Sequence, residues 1–333
     1  MALLLILIVT GLLGAAAAVE FRARQLGHRP YVPSVLERRI EPGGRVYQID
    51  PLLGYKHLPG RYTITLKGSY AFEITHLDST LRATGPLDEL ERPDERDEVW
   101  IFGCSFTHGW SLHDHETFPW LLQTDFPDLK IVNFGVGGYG TQHSLIQFLA
   151  ALKAGRRPAL VLLTYSQLHD ARNVFARSRR KGMTNSKLSP VRHPAARLAG
   201  DGSLRTEVVN VTYSEFPFMR SSAAIHRLEK AYNAYEERRL RSHEVSRALV
   251  DAFFALSDVY GVTTAIVGIT NHDDVRKMLA FCEDHNRSAL DISVDLTISG
   301  HNNLPHDGHP SAKANFIYAE RLGPLIKSLA RPG

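Results

Sequence analysis

Between Glu98 and Val294 one pattern recurs: a short, continuous apolar run, a turn rich in glycine or polar residues, then a stretch with helical spacing. The runs are Glu98-Val-Trp-Ile-Phe102, Leu129-Lys-Ile-Val-Asn-Phe134, Ala159-Leu-Val-Leu-Leu-Thr164, Thr263-Thr-Ala-Ile-Val-Gly268 and Leu290 to Val294. Segments His115 to Phe126, Thr141 to Ala154 and 223 to 259 carry helical spacing, the last as one long helix or a helix pair. A strand that is apolar on both sides must be covered on both faces. Strands that alternate with helices are joined in parallel, because a crossover helix fits that connection. The pattern therefore predicts an α/β fold, a three-layer α/β/α sandwich around a mainly parallel sheet. In such sheets, sites form at the carboxyl ends of the strands.

The flanking regions differ. Ala2 to Val19 carries no charge and is rich in Leu, Ile and Ala; at ~1.5 Å per residue it reaches ~27 Å, close to a bilayer core. Residues 1–19 are read as a signal anchor or a signal peptide, and a protein so built is membrane-anchored or secreted, with an extracytoplasmic body. The orientation stays open, because Arg22, Arg24 and Arg29 directly after the run point the other way under the positive-inside rule. Residues 20–45 read as a linker. Residues 46–97 read as a small β-rich appendage, with Tyr62 to Leu66 and Tyr70 to Thr75 as strands, followed by a charged loop. The main domain is 98–331. Within it, the insertion 174–221 holds the basic run Arg177 to Lys181, Pro190, Pro194 and Phe216-Pro-Phe218, and reads as a long loop that could serve as a lid. The basic run is a solvated segment or a contact for an anionic glycan or lipid headgroup. The cluster Glu236 to Arg241 reads as a solvated helix face.

Composition excludes more than it selects. A formal charge of +4 over 333 residues gives no case for nucleic acid. Two cysteines, Cys104 and Cys282, are not a disulfide framework and have no metal or redox spacing. No cofactor and no metal is expected.

Four motifs carry chemistry. Phe102-Gly-Cys-Ser-Phe-Thr-His-Gly109 follows a buried strand, which places Ser105 at the sheet's carboxyl edge. A serine nucleophile there needs a base for its proton and donors for the oxyanion it generates; the alternative is a serine that caps a helix. Asn133 to Gln142 contains Gly135-x-Gly137-x-x-Gly140. It is not a dinucleotide loop: it follows the second strand of the domain, and Arg156-Arg-Pro stands where the ribose-binding acid belongs. It reads instead as a loop whose backbone N–H groups face the reaction centre. His169-Asp-Ala-Arg-Asn173 ends the third strand, as a site element or a polar cap. His306-Asp-Gly-His-Pro-Ser311 sets Asp307 two residues from His309, so that one can orient the other as base. His301, His306 and His309 with Asp307 lack zinc-site spacing.

In this order the four motifs resemble the SGNH hydrolase superfamily, the GDSL-like serine esterases, over about residues 98–330. Gly103-Cys-Ser-Phe-Thr107 is similar to the serine block, Asn133 to Gly140 to the glycine block, His169-Asp170 to the asparagine block, and Asp307-Gly-His309-Pro-Ser311 to the histidine block. Cys104 stands for the usual Asp, His169 for the usual Asn, and the last pair is Asp-x-His instead of Asp-x-x-His. The resemblance implies a flavodoxin-like sheet and a serine hydrolase that cleaves acyl or acetyl esters through an acyl-enzyme. Ser105 is then the nucleophile, His309 the base in preference to His306, and Asp307 its orienting acid. Backbone N–H groups of Ser105 and Gly138, with His169 or Asn173, complete the oxyanion site. The expected partners are an acylated small molecule or glycan and, through the N-terminal segment, a membrane. Two other readings fit the same scaffold: an O-acyltransferase of surface polysaccharide, and a non-catalytic glycan-binding protein.

Overall fold

The computed structural model describes residues 1–33, 37–90, 95–185 and 192–330. Along the chain run α1 (Ala2–Gln25), β1 (Arg38–Glu41), β2 (Tyr47–Asp50), β3 (Gly54–His57), β4 (Gly60–Leu66), β5 (Tyr70–His76), α2 (Leu87–Leu90), β6 (Glu98–Phe102) and α3 (Ser105–His108). After a single turn of tighter helix come α4 (Phe118–Asp125), β7 (Lys130–Asn133), α5 (Thr141–Lys153), β8 (Leu160–Tyr165), α6 (Leu168–Asn173), α7 (Arg177–Asn185), β9 (Arg192–Leu198) and β10 (Leu204–Asn210). The chain closes with α8 (Ala223–Arg239), α9 (Ser242–Tyr260), β11 (Thr263–Thr270), α10 (Asp273–Asp284), β12 (Ser288–Val294) and α11 (Ala312–Leu329).

These elements form two compact units. The larger comprises 36–175, 190–210 and 241–333. Its central sheet has five strands in the order β7-β6-β8-β11-β12, all parallel. By order along the chain this is 2-1-3-4-5, the flavodoxin-like arrangement. Alternation along each strand builds the layers. Val99 and Ile101 of β6, with Leu160 and Leu162 of β8, face Phe118 and Leu122 of α4 and Tyr318, Leu322 and Ile326 of α11. Trp100, Phe102, Val161 and Leu163 face the other way, against Phe148 of α5, Phe253 of α9 and Met278 of α10. Each such side chain contributes about 1.5–3 kcal/mol by leaving water. The two cysteines are buried and free, one in each layer.

The β-rich segment begins earlier than the sequence suggests. β1, inside the stretch read as linker, pairs antiparallel with β4, which pairs with β5. This small sheet reaches the β7 edge of the main sheet: Arg82 bridges to His76 and to Asn133, and Thr84 Oγ1 donates to the Ile131 carbonyl at 2.8 Å. An otherwise open edge is thereby covered.

The insertion is not the long loop expected. It holds α7 and the hairpin β9–β10, paired over seven residues through a turn with Gly202 at φ +82°. Pro190 lies outside the described residues. The segment 223 to 259 is a helix pair: Arg241, at φ +52°, separates α8 from α9.

The smaller unit comprises 1–35, 176–189 and 211–240. α1 has a mean hydropathy of 2.7 over its most apolar 18 residues, none of them buried. The basic run on α7 is neutralised internally. Lys181 pairs with Glu229 at 2.9 Å and Arg180 with Glu236 at 2.5 Å, while Arg177 lies 4.5 Å above the Tyr213 ring. This corrects the reading of that run as a solvated segment. It also removes Glu236 from the solvated face assigned to it.

Candidate active site

The turn after β6 is braced from three sides. Gly103 has no room for a side chain: a Cβ there would lie 2.0 Å from Thr164 Oγ1 and 2.1 Å from Thr107 Oγ1. Those two hydroxyls meet at 2.6 Å, and Thr164 Oγ1 also donates to the Phe102 carbonyl. Gly135 is equally tight, since a Cβ would come within 2.5 Å of the His108 amide nitrogen. Asn133 ties the two turns together, donating to the Thr107 carbonyl at 3.0 Å and accepting from the Gly135 N–H at 2.9 Å. The glycines of the first two motifs are thus required by close packing, and the packing fixes α3 with Ser105 as its first residue.

Ser105 Oγ lies 2.9 Å from His309 Nε2. His309 Nδ1 lies 2.5 Å from Asp307 Oδ1, which also accepts the His309 backbone N–H at 2.9 Å. Asp307 Oδ2 accepts the indole N–H of Trp110 at 2.9 Å. Burial alone would raise the Asp307 pKa; the hydrogen bonds and charge of His309, with the Trp110 N–H, outweigh it and hold the carboxyl below its ordinary value. The loop that carries the pair is tethered. Asn303 donates to the Ser111 carbonyl and hydroxyl at 3.0 and 2.9 Å, and Ser311 caps α11 while donating to the Gly300 carbonyl. His306 goes elsewhere: its ring stacks on Tyr70 with centroids 5.1 Å apart. Of the two histidines weighed as base, His309 is the one within hydrogen-bond reach of Ser105.

The other predicted residues lie around the glycine loop and the start of α5. Gly138 sits in the turn after β7 at φ +81°. His169 is fully buried, 3.3 Å from Thr141 Oγ1 through Nδ1, and its Nε2 has no hydrogen-bond partner among the described residues. Burial, aided by the Arg172 charge, pushes its pKa well down and keeps it neutral. Asn173 accepts from the Gln142 N–H at 3.1 Å and donates to Ser246 Oγ at 2.9 Å. Asp170, beside His169, accepts from Tyr165 OH at 2.5 Å and from His243 Nδ1 at 2.9 Å. The structure gathers Ser105, His309 and Asp307, and leaves His169 and Asn173 in hydrogen bonds around the start of α5.

Three groups had no sequence signal. Trp110 meets Asp307 across 197 residues of chain. Gln167, in the loop after β8, accepts from Thr270 Oγ1 at 2.6 Å and from Ser166 Oγ at 3.2 Å, and its amide hydrogens have no partner among the described residues. The third is a buried trio, His57, His76 and His108, behind α3. His57 Nδ1 faces the Thr80 carbonyl at 3.1 Å, and His76 Nδ1 faces the Leu58 carbonyl at 3.2 Å. Carbonyls only accept, so both Nδ1 atoms carry the hydrogen. The 3.0 Å contact between His76 Nε2 and His108 Nε2 is then a bond donated by His108. His57 and His76 stack 3.9 Å apart and within 11° of parallel, so their in-plane lone pairs run side by side and do not meet at one ion. Burial holds His57 down to about 3 and the other two well below the ordinary value. Arg82 closes this region, pairing with Asp114 at 3.0 Å and donating to the carbonyls of His108, Gly109 and Leu112.

The fold and the site together define a three-layer α/β/α protein with a Ser–His–Asp constellation at the carboxyl edge of its sheet. No family model matches the chain, and no curated protein matches it. Among solved structures it is similar to TesA, at 14% identity over 70% of this chain and 99% of that one, with a TM-score of 0.43. It is similar to a member of the lipolytic protein G-D-S-L family from Veillonella parvula DSM 2008, at 12% identity over 70% and 99%, with a TM-score of 0.42. It is also similar to the psychrotrophic esterase EstA from Pseudoalteromonas sp., at 14% identity over 70% and 97%, with a TM-score of 0.37. These likenesses are remote, and the functional assignment rests on the geometry.

Proposed function

We propose that the chain is a serine hydrolase of the SGNH type that cleaves carboxylic esters through an acyl-enzyme. The observation that carries this reading is the continuous chain from Ser105 Oγ through both His309 nitrogens to Asp307, at 2.9 and 2.5 Å. In it, His309 Nε2 takes the Ser105 proton as Oγ attacks the ester carbonyl, and Asp307 fixes the tautomer and stabilises the imidazolium. The tetrahedral intermediate collapses as His309 protonates the departing alcohol. Water, deprotonated by the same imidazole, then releases the acid and restores Ser105.

The oxyanion is held by the Ser105 backbone N–H at the start of α3 and by the Gly138 turn. The third donor is His169, Asn173 or Gln167: His169 Nε2, one Asn173 amide hydrogen and the Gln167 amide hydrogens have no hydrogen-bond partner among the described residues. β8 lies beside β6 in the sheet, which sets the Gln167 loop next to the serine loop. One such donor is worth ~3 kcal/mol in the transition state. In this reading α1 is a membrane anchor for an extracytoplasmic catalytic body, and the substrate is an acylated small molecule or glycan.

The test is hydrolysis of an aryl acetate by the full chain. Ser105→Ala is expected to lower kcat/KM by at least ~10⁴-fold with the fold intact; unchanged activity would remove the assignment. Acyl transfer to added oligosaccharide, outpacing release of free acid, would replace hydrolase by O-acyltransferase.

A further inference from the structure

The smaller unit carries a feature that catalysis does not use. The first charge after the apolar run of α1 is Glu20, and its carboxylate caps α8. It accepts from Ser222 Oγ at 2.7 Å and from the backbone N–H groups of Ala223 and Ala224, both at 3.0 Å. α8 is thereby fixed to α1 at the height where the uncharged stretch ends, ~26 Å from Ala2 at ~1.5 Å per residue. Read as a span, α1 emerges from the hydrocarbon core at that height.

A groove of about 670 Å³ lies between the two helices. Val19, Ala23, Ile225 and Leu228 give it apolar walls, and Arg22 and Arg227 line it as well. Neither guanidinium has a carboxylate partner among the described residues, whereas Arg24, one turn from Glu20, is paired with it at 2.6 Å. On α8 an apolar stripe continues away from the groove at helical spacing: Leu228, Tyr232 and Tyr235 are 60%, 44% and 50% exposed. Tyrosines in such a stripe suit the headgroup layer, where an apolar ring and a polar tip are both satisfied.

We propose that this groove binds an anionic phospholipid of the leaflet in which α1 ends, with its phosphate between Arg22 and Arg227 and its upper acyl chain against Val19, Ile225 and Leu228. The volume falls within the range of small-molecule sites, and two cations without a carboxylate partner among the described residues, lining the same groove as apolar side chains, match the charge and chain of a lipid. The proposal rests on reading α1 as a membrane span.

The experiment uses the full chain in neutral detergent, exposed to equal amounts of phosphatidylglycerol and phosphatidylcholine, with retained lipid counted by native mass spectrometry. The expected result is a preference of about 10-fold for phosphatidylglycerol, weakened by high salt. Arg22→Gln with Arg227→Gln should abolish that preference, and Arg24→Gln should leave it. Equal retention of both lipids, or a preference that survives the double substitution, would overturn the proposal. Alkaline carbonate extraction of membranes from expressing cells separates this from the span: release of the chain would overturn both readings, while retention with no lipid preference would overturn the groove alone.

Discussion

The four-residue helix α3 has an imidazole at each end, and the two are handled in opposite ways. At its start, Ser105 meets His309, whose side chain is 28% exposed and backed by a carboxylate. At its end, His108 is buried with His57 and His76, backed by carbonyls and faced by the Arg82 cation. A carboxylate behind the ring fixes its tautomer and stabilises the imidazolium that the proposed mechanism forms. Carbonyls fix a tautomer equally well, but burial and a neighbouring cation forbid the charge. In the proposed mechanism the first imidazole takes and returns a proton, whereas burial holds the other three neutral. The difference lies in the partner and in water access, not in the residue type.

The comparison breaks most completely if the carboxylate is neutralised. Asp307→Asn keeps the volume but removes the charge and frees the tautomer. Steady-state hydrolysis should fall by roughly 10⁴-fold, with KM little changed. A loss below 3-fold would mean that Asp307 does not act on His309.

Acid should break the other end. The folded pKa of His57 lies at about 3, below the ordinary value of 6.5 for an unfolded chain. Below pH 6.5 the unfolded state therefore binds more protons than the folded state, and stability falls as pH drops from 6.5 toward 3. At pH 5 His57 alone costs about 2 kcal/mol. Urea midpoints measured at pH 7.5 and pH 5 should show at least this loss, and His57→Asn should reduce it by the His57 share while His76 and His108 keep the rest. A wild-type midpoint independent of pH over that interval would contradict the assignment of a neutral trio.

The smallest effect sharpens the first. Trp110→Phe keeps the ring but removes the N–H from Asp307 Oδ2. A hydrogen bond to a charged group is worth about 1.5–3 kcal/mol, so kcat should drop by about 10-fold. Because the Asp307 carboxylate loses a donor, its pKa should rise, and the acid limb of the kcat profile should move to higher pH. A lower kcat with an unmoved profile would make Trp110 a packing residue only.

How much of this the sequence revealed follows from the range of the interactions. Unbroken apolar runs marked β6, β8 and β11 because each strand must be buried on both faces, and a motif at a strand end placed Ser105. Asp307 and His309 were legible as a pair because a single residue, Gly308, separates them. Trp110 was not, since nothing local to it signals a carboxylate 197 residues away. The His trio assembles from β3, β5 and α3, three segments whose histidines look isolated in sequence. The stretch 174–221 misled for a related reason: its basic run reads as solvated until α8 supplies Glu229 and Glu236, and the outer strand β10 is too polar to resemble a strand. Asn173 was placed near the oxyanion by its spacing from His169; in the structure one of its amide hydrogens goes to Ser246.

The central claim is that His309 and Asp307 make Ser105 a nucleophile. The direct test is labelling of the intact chain by a fluorophosphonate, followed by peptide mass spectrometry. The account predicts one adduct, on Ser105, lost in Ser105→Ala and formed far more slowly in His309→Ala. A label on another residue, or equal labelling of Ser105 with and without His309, would contradict it.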